Sequence, residues 1–241
     1  MKKIIFSIAA IAVVIAPVFA DDLWNQQTLT SNGDFGYGNA VEGDLTTQTF
    51  YGVSEVNNNS AWTINSISLI AESSSNLSSI LVNTAVLNVF DDGATDPPGG
   101  GTGDDPTTGT TVNVTATLDN GLGTNPYGGG YFIITASGLN INLTSGSHWI
   151  GLTPNSTIAQ NGYLYVAYNN SNLAGATFGD AFRNPYALSG DWVDVSTAIY
   201  NRPDLVYGAM DIQGTVQSVP SPSAMAFLAL GVGALLLNRH N

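Results

Sequence analysis

Apolar and polar positions alternate in short runs along most of the chain, and no ten-residue stretch after residue 20 carries apolar side chains at the spacing of a helix. Segments 46–53, 61–70, 79–90, 111–118, 130–136, 147–153, 162–168, 191–195 and 205–212 are rich in β-branched and aromatic residues. Stretches of Gly, Pro, Asn and Ser separate them, so each is predicted as a strand. Strict alternation in 61–70 places Trp62, Ile64, Ser66, Ser68 and Ile70 on one face and Ile67 and Leu69 on the other. About nine strands without helical crossovers predict an all-β fold, a single antiparallel β-sandwich of jelly-roll type. No fixed repeat period marks a β-helix instead.

The two ends break this pattern. Met1, Lys2 and Lys3 open the chain, an apolar run follows over 4–14, and Val18-Phe19-Ala20 stands before Asp21-Asp22. A positive start, a short apolar stretch and a small-residue cut site predict a secretory signal peptide over 1–20. The body is then 21–217, and the remainder, 218–241, is a separate segment. There Val219-Pro220-Ser221-Pro222 precedes the run 224–237, which is apolar on every side and ends in Asn238-Arg239-His240-Asn241. An all-round apolar surface is unlike a surface helix with one stripe, and the run is shorter than the ~20 residues of a free-standing span. A hydrophobic sorting helix is the expectation.

A short Pro motif, a brief apolar segment and a terminal basic residue, in that order, resemble the PEP-CTERM sorting signal of Gram-negative bacteria. Pro220-Ser221-Pro222 stands where that family has Pro-Glu-Pro, and Arg239 with His240 stands where it has an Arg cluster. The resemblance implies retention of a precursor in the inner membrane, recognition by an exosortase-type enzyme through Val219, Pro220, Ser221, Pro222 and Arg239, and delivery to the cell surface or extracellular matrix. Trp62, the segment 146–152 and the segment 180–194 with Tyr186 and Trp192 resemble the extracellular β-sandwich domains found on such proteins, which carry no established catalytic residues to transfer.

Composition narrows the function. Charged residues are 10% of the chain, with 5 Lys+Arg against 18 Asp+Glu, and outside the two ends Arg183 and Arg202 are the only cationic side chains. Phosphate backbones repel such a body, so nucleic-acid binding is excluded. Cys is absent, which removes disulfides, thiol nucleophiles and cysteine metal sites. His148 is the one histidine outside the tail, and no Gly-x-Ser-x-Gly elbow presents a serine to it. Paired carboxylates of a glycosidase are set by fold rather than spacing, and Glu42, Glu55 and Glu72 stand in no motif. No catalytic residue is assigned, and a non-enzymatic role is expected.

Two clusters carry candidate binding chemistry. Asp91, Asp92, Asp96, Asp104 and Asp105 lie in a Gly- and Pro-rich stretch without large apolar side chains. Its composition is that of a surface loop, and its carboxylates are the hard oxygens calcium takes, in a spacing unlike the EF-hand loop. Calcium is the one cofactor considered. Tyr163 and Tyr165 share a strand face, and with Tyr186, Trp192 and Tyr207 they form a candidate aromatic platform for sugar rings. An exported surface or matrix protein is the leading expectation, a module binding exopolysaccharide the second, and a secreted glycosidase the third.

Overall fold

The computed structural model describes residues 20–27, 37–45, 48–91, 105–169, 180–183, 192–195 and 207–217. Residues 1–19 of the expected signal peptide, the tail with Val219, Pro220, Ser221, Pro222 and Arg239, and the run 224–237 lie outside them. Among the described residues no helix is long and apolar enough to cross a membrane.

The expected all-β character holds. Among the described residues fifteen strands follow one another: β1 Asp21–Asn25, β2 Tyr37–Gly38, β3 Val41–Glu42, β4 Tyr51–Asn58, β5 Trp62–Ser73, β6 Thr84–Phe90, β7 Thr110–Thr124, β8 Gly130–Leu143, β9 Gly146–Ser156, β10 Leu164–Val166, β11 Tyr168–Asn169, β12 Asp180–Arg183, β13 Val193–Asp194, β14 Tyr207–Gly208 and β15 Met210–Val216. One helical turn, α1, occupies Ile158–Asn161, and a 3-10 turn Pro106–Thr108. Among the described residues thirteen strands form a single curled sheet: ten in the order β1-β15-β5-β8-β7-β6-β9-β4-β12-β13, with β10 beside β5, β2 beside β10 and β3 beside β9 off this path. Its pairs are antiparallel except for the short parallel contact of β3 with β9. The sheet turns its corner along β7, whose residues up to Asn113 pair with β6 while those from Val114 pair with β8.

Curling brings both arms onto one core. Ile67 and Leu69 of β5, Ile134 of β8 and Ile212 of β15 join Val56 of β4, Leu87 of β6 and Ile150 and Leu152 of β9 in one buried cluster. The alternation predicted for β5 fails at one point. Trp62 and Ile64 share the core with Ile67, Leu69 and Ala71, whereas Ile70 packs on the opposite face with Tyr131, Ala167 and Ala209. The register of β5 slips between Ile64 and Ser66 against both neighbours. An extra residue in a strand exchanges its faces beyond that point. On β8 the partners of Ile64 and Ser66 are Ile141 and Ser137, and the intervening Gly138 takes φ +70°, which its missing Cβ allows.

Strand directions sort the connections onto two poles. At one pole Asp21 faces Gly214, Val216 faces Trp62, Trp62 faces Leu143 and Asn58 faces Gly146. The chain therefore enters β1 and leaves β15 side by side, and this end is the terminal pole. The other end of β5, at Ser73, the turn before β8 and the α1 segment form the far pole. The 12 residues of β5 separate the two by about 36–40 Å.

Candidate functional site

At the terminal pole His148 is 2% exposed and both ring nitrogens face oxygen: Nδ1 lies 2.7 Å from Asp91 Oδ1, and Nε2 lies 2.9 Å from the Thr144 carbonyl oxygen. A Ser-His-Asp triad needs Nε2 on the nucleophile, and here a backbone acceptor holds it. Asn58 completes the corner, donating from Nδ2 to the carbonyls of Ser60 and Thr144 and accepting from the Gly146 N–H through Oδ1.

The two described ends of the acidic stretch are engaged in local structure. Asp91 meets His148, and Asp105 caps the 3-10 turn, accepting from the Thr107 N–H at 2.9 Å and the Thr107 hydroxyl at 2.8 Å. Those two bonds, and more weakly Arg183, hold the Asp105 carboxyl below its ordinary range. Asp92, Asp96 and Asp104 lie outside the described residues. Among the described residues no group of three or more metal-ligating side chains assembles.

The far pole is built on a turn. In Asn125-Pro126-Tyr127-Gly128 the Gly128 N–H donates to the Asn125 carbonyl at 2.9 Å, with Gly128 at φ +86°. Proline presets the turn's second position and glycine accepts the positive φ. The buried Asn125 side chain locks it: Oδ1 accepts from the N–H groups of Tyr127 and Gly129, both at 3.0 Å, and Nδ2 donates to the carbonyls of Gly130 at 3.0 Å and Ser73 at 3.3 Å. The turn is thereby tied to the end of β5.

Tyr127, mounted on this turn, stacks on Tyr165 of β10 with ring centroids 5.8 Å apart and planes 16° from parallel. Tyr163, 38% exposed, precedes Tyr165 by two residues on the same face, and its N–H donates to Ser74 Oγ at 2.9 Å. Across the sheet Tyr165 stands opposite Glu72, Glu72 opposite Tyr131, and Tyr131 opposite Asp119, one row on the outer face. Burial, then Tyr127, Tyr163 and Glu72, push the Tyr165 phenol well above its ordinary pKa, so it stays a neutral hydroxyl. At the end of the row a groove of about 510 Å³ is lined by Asn76, Leu77, Leu118, Asp119, Thr124 and the Gly128 to Gly130 backbone.

The structure thus divides the aromatic platform expected from the sequence. Tyr163 and Tyr165 stand together, but Trp192 is buried in another cluster with Tyr51, Val53 and Trp149, edge-on to Phe90 at 5.7 Å. Tyr186 lies outside the described residues, as does the side chain of Tyr207, whose backbone pairs with β11. Tyr127 was not singled out by the strand pattern. Its signal was the Asn-Pro-x-Gly turn, which marks a presented residue rather than a strand.

Among the described residues three carboxylates, Glu42, Glu55 and Asp211, are buried away from this row. Glu42 of β3 is 2% exposed, and burial, with Asp44 nearby, pushes its pKa up to about 7. Asp211 of β15 is raised by burial and by Asp22; Gln213 Nε2 donates to Asp211 Oδ2 at 3.0 Å and to Asp22 Oδ1 at 3.3 Å. No protein-family model and no curated protein matches the chain.

Proposed function

We propose that this is an exported, non-enzymatic surface or matrix protein, its curled sheet a two-layer, jelly-roll-like sandwich, held at the envelope through its C-terminal segment. One observation carries this reading: β1 and β15 pair, with Asp21 opposite Gly214, so the apolar segments at both ends join the body at one pole. A body connected in this way sits on one side of a membrane while either segment is inserted, and its far pole points away. Each CH₂ of the run 224–237 contributes about 0.8 kcal/mol on leaving water, enough for retention without a full-length span. Arg239 then lies on the cytoplasmic side. The sorting partner is an exosortase-type enzyme reading Pro220 and Pro222.

Cell fractionation with mass spectrometry of the C-terminal peptide tests this. Deleting 219–241 is expected to send the body freely into the medium, and changing Pro220 and Pro222 to Ala to leave an unprocessed inner-membrane precursor. A deletion variant that distributes like the wild type overturns the sorting reading. The second reading, a carbohydrate-binding module, is favoured by the Tyr127–Tyr165 stack beside an open groove.

A further inference from the structure

We infer that the far pole binds a non-anionic pyranose polymer, through the rings of Tyr127, Tyr163 and Tyr165 and the adjoining glycine-floored groove; the inference rests on the carbohydrate-binding reading and deepens it. A pyranose ring presents a flat apolar face and an edge of hydroxyls. The far pole presents the complement of both. The stacked pair and the exposed Tyr163 supply aromatic surface. The groove beside them supplies the Asn76 amide, the Thr124 hydroxyl and the Asp119 carboxylate next to Leu77 and Leu118.

Hydrogen bonds hold the site in place without any ligand. Asn125 fixes the turn by four bonds, and paired bonds between Ser74 and Tyr163 fix the other side. Preorganisation of this kind lowers the ordering cost of binding. The floor is packed as only glycine can pack: a Cβ at Gly129 would run into the Ser75 and Leu77 backbone, and one at Gly130 into the Leu118 side chain that lines the groove.

Charge selects the polymer. Asp119 and the buried Glu72 lie in the same row as Tyr165, and Arg183, the cationic Lys or Arg side chain among the described residues, pairs through β12 with β4 on the other arm. A uronate or sulfated chain meets carboxylates there, with no Lys or Arg beside them among the described residues. Neutral or amine-bearing sugars meet no such barrier.

Affinity electrophoresis of the full-length chain in a detergent without sugar groups, through gels holding hydroxyethylcellulose, galactomannan, chitosan or alginate, tests the site. Retardation is expected with at least one of the first three and not with alginate. Tyr127→Ala and Tyr163→Ala should each weaken it about 2- to 12-fold, the range set by about 0.5–1.5 kcal/mol per aromatic contact. Tyr163→Phe, which keeps the ring, and Thr63→Ala at the terminal pole should retain it. Thermal melts identify any variant that has lost its fold, and Tyr163, exposed as it is, should melt as the wild type. Retardation unmoved by both tyrosine changes, or strongest with alginate, overturns the site while leaving a binding module. No retardation with any polymer overturns both.

Discussion

The terminal pole and the far pole are fastened by the same device and present different surfaces. At the terminal pole Asn58 and His148 tie turns to backbone carbonyls and close over the corner where the chain enters and leaves. At the far pole Asn125 does the tying, yet the turn it holds carries a tyrosine outward onto a second ring. Buried amide side chains staple both ends of a body that has no disulfide, so the stapling residues report stability. What stands on the staple is where the proposed binding would be read. The comparison separates positions whose loss should unfold the protein from positions whose loss should cost only binding.

The largest effect is expected from Asn125→Ala. It deletes four hydrogen bonds at once and leaves the N–H groups of Tyr127 and Gly129 without that acceptor. Each lost bond costs about 1 kcal/mol, discounted for solvent reaching the turn, and a loss of about 3 kcal/mol in urea unfolding is the expected outcome. Glycan retardation should fall with it. A stable variant that still binds would show that the turn is held by something other than Asn125.

At the other end His148→Ala should cost about 2 kcal/mol, from the cavity and the lost Nε2 bond to the Thr144 carbonyl, which keeps Asn58 as its other donor. Here the expected signature is the opposite of that at the far pole: lower stability with retardation by neutral glycan unchanged in the folded fraction. If binding fell in step with stability, the two poles would not be separable.

The strands themselves were legible from the sequence because half-buried sheets impose a two-residue period on the residues that form them. The segments 111–118, 130–136 and 147–153 fall inside β7, β8 and β9. What alternation cannot carry is a slip of register. Ser66 and Ser68 gave no hint that the chain gains a residue before Ile67, and the consequence, Ile70 on the outer face, follows from pairing with β8 and β15. β8 continues past Gly138 to Leu143, where a glycine reads as an end, because its positive φ is absorbed in the irregularity opposite Asn65. Aromatic residues were legible as a class and not as a site: Tyr165 and Trp192 are alike in sequence, but they belong to different arms, and that assignment is a property of strand order.

The smallest effect sharpens the comparison through pH. Glu42 lies beside Ser156 near the far pole, and Asp211 pairs across from Asn25 on the strand that runs to the terminal pole; burial raises the carboxyl pKa of both. For Glu42 the value rises from 4.5 to about 7, so between those limits the folded chain holds a proton that the unfolded chain has released. Its contribution is therefore fully present below about pH 4.5 and lost as pH rises through 7. The wild type should melt lower at pH 8 than at pH 5 on this account. Asp44 acts in the opposite sense: the N–H groups of Ile158 and Ala159 depress its pKa, and its contribution is lost in acid. Glu42→Gln removes the ionisation without removing the side chain, and should stabilise the body by about 1–2 kcal/mol at pH 8 and hardly at pH 4. Asp211→Asn should act in the same direction, since its raised pKa has the same sign and the same leading cause. Melting curves of the three proteins from pH 4 to pH 8 decide the matter. Parallel curves would mean that neither carboxylate is held out of water in the folded chain, whereas convergence only in acid places the strain on ionisation at these two positions.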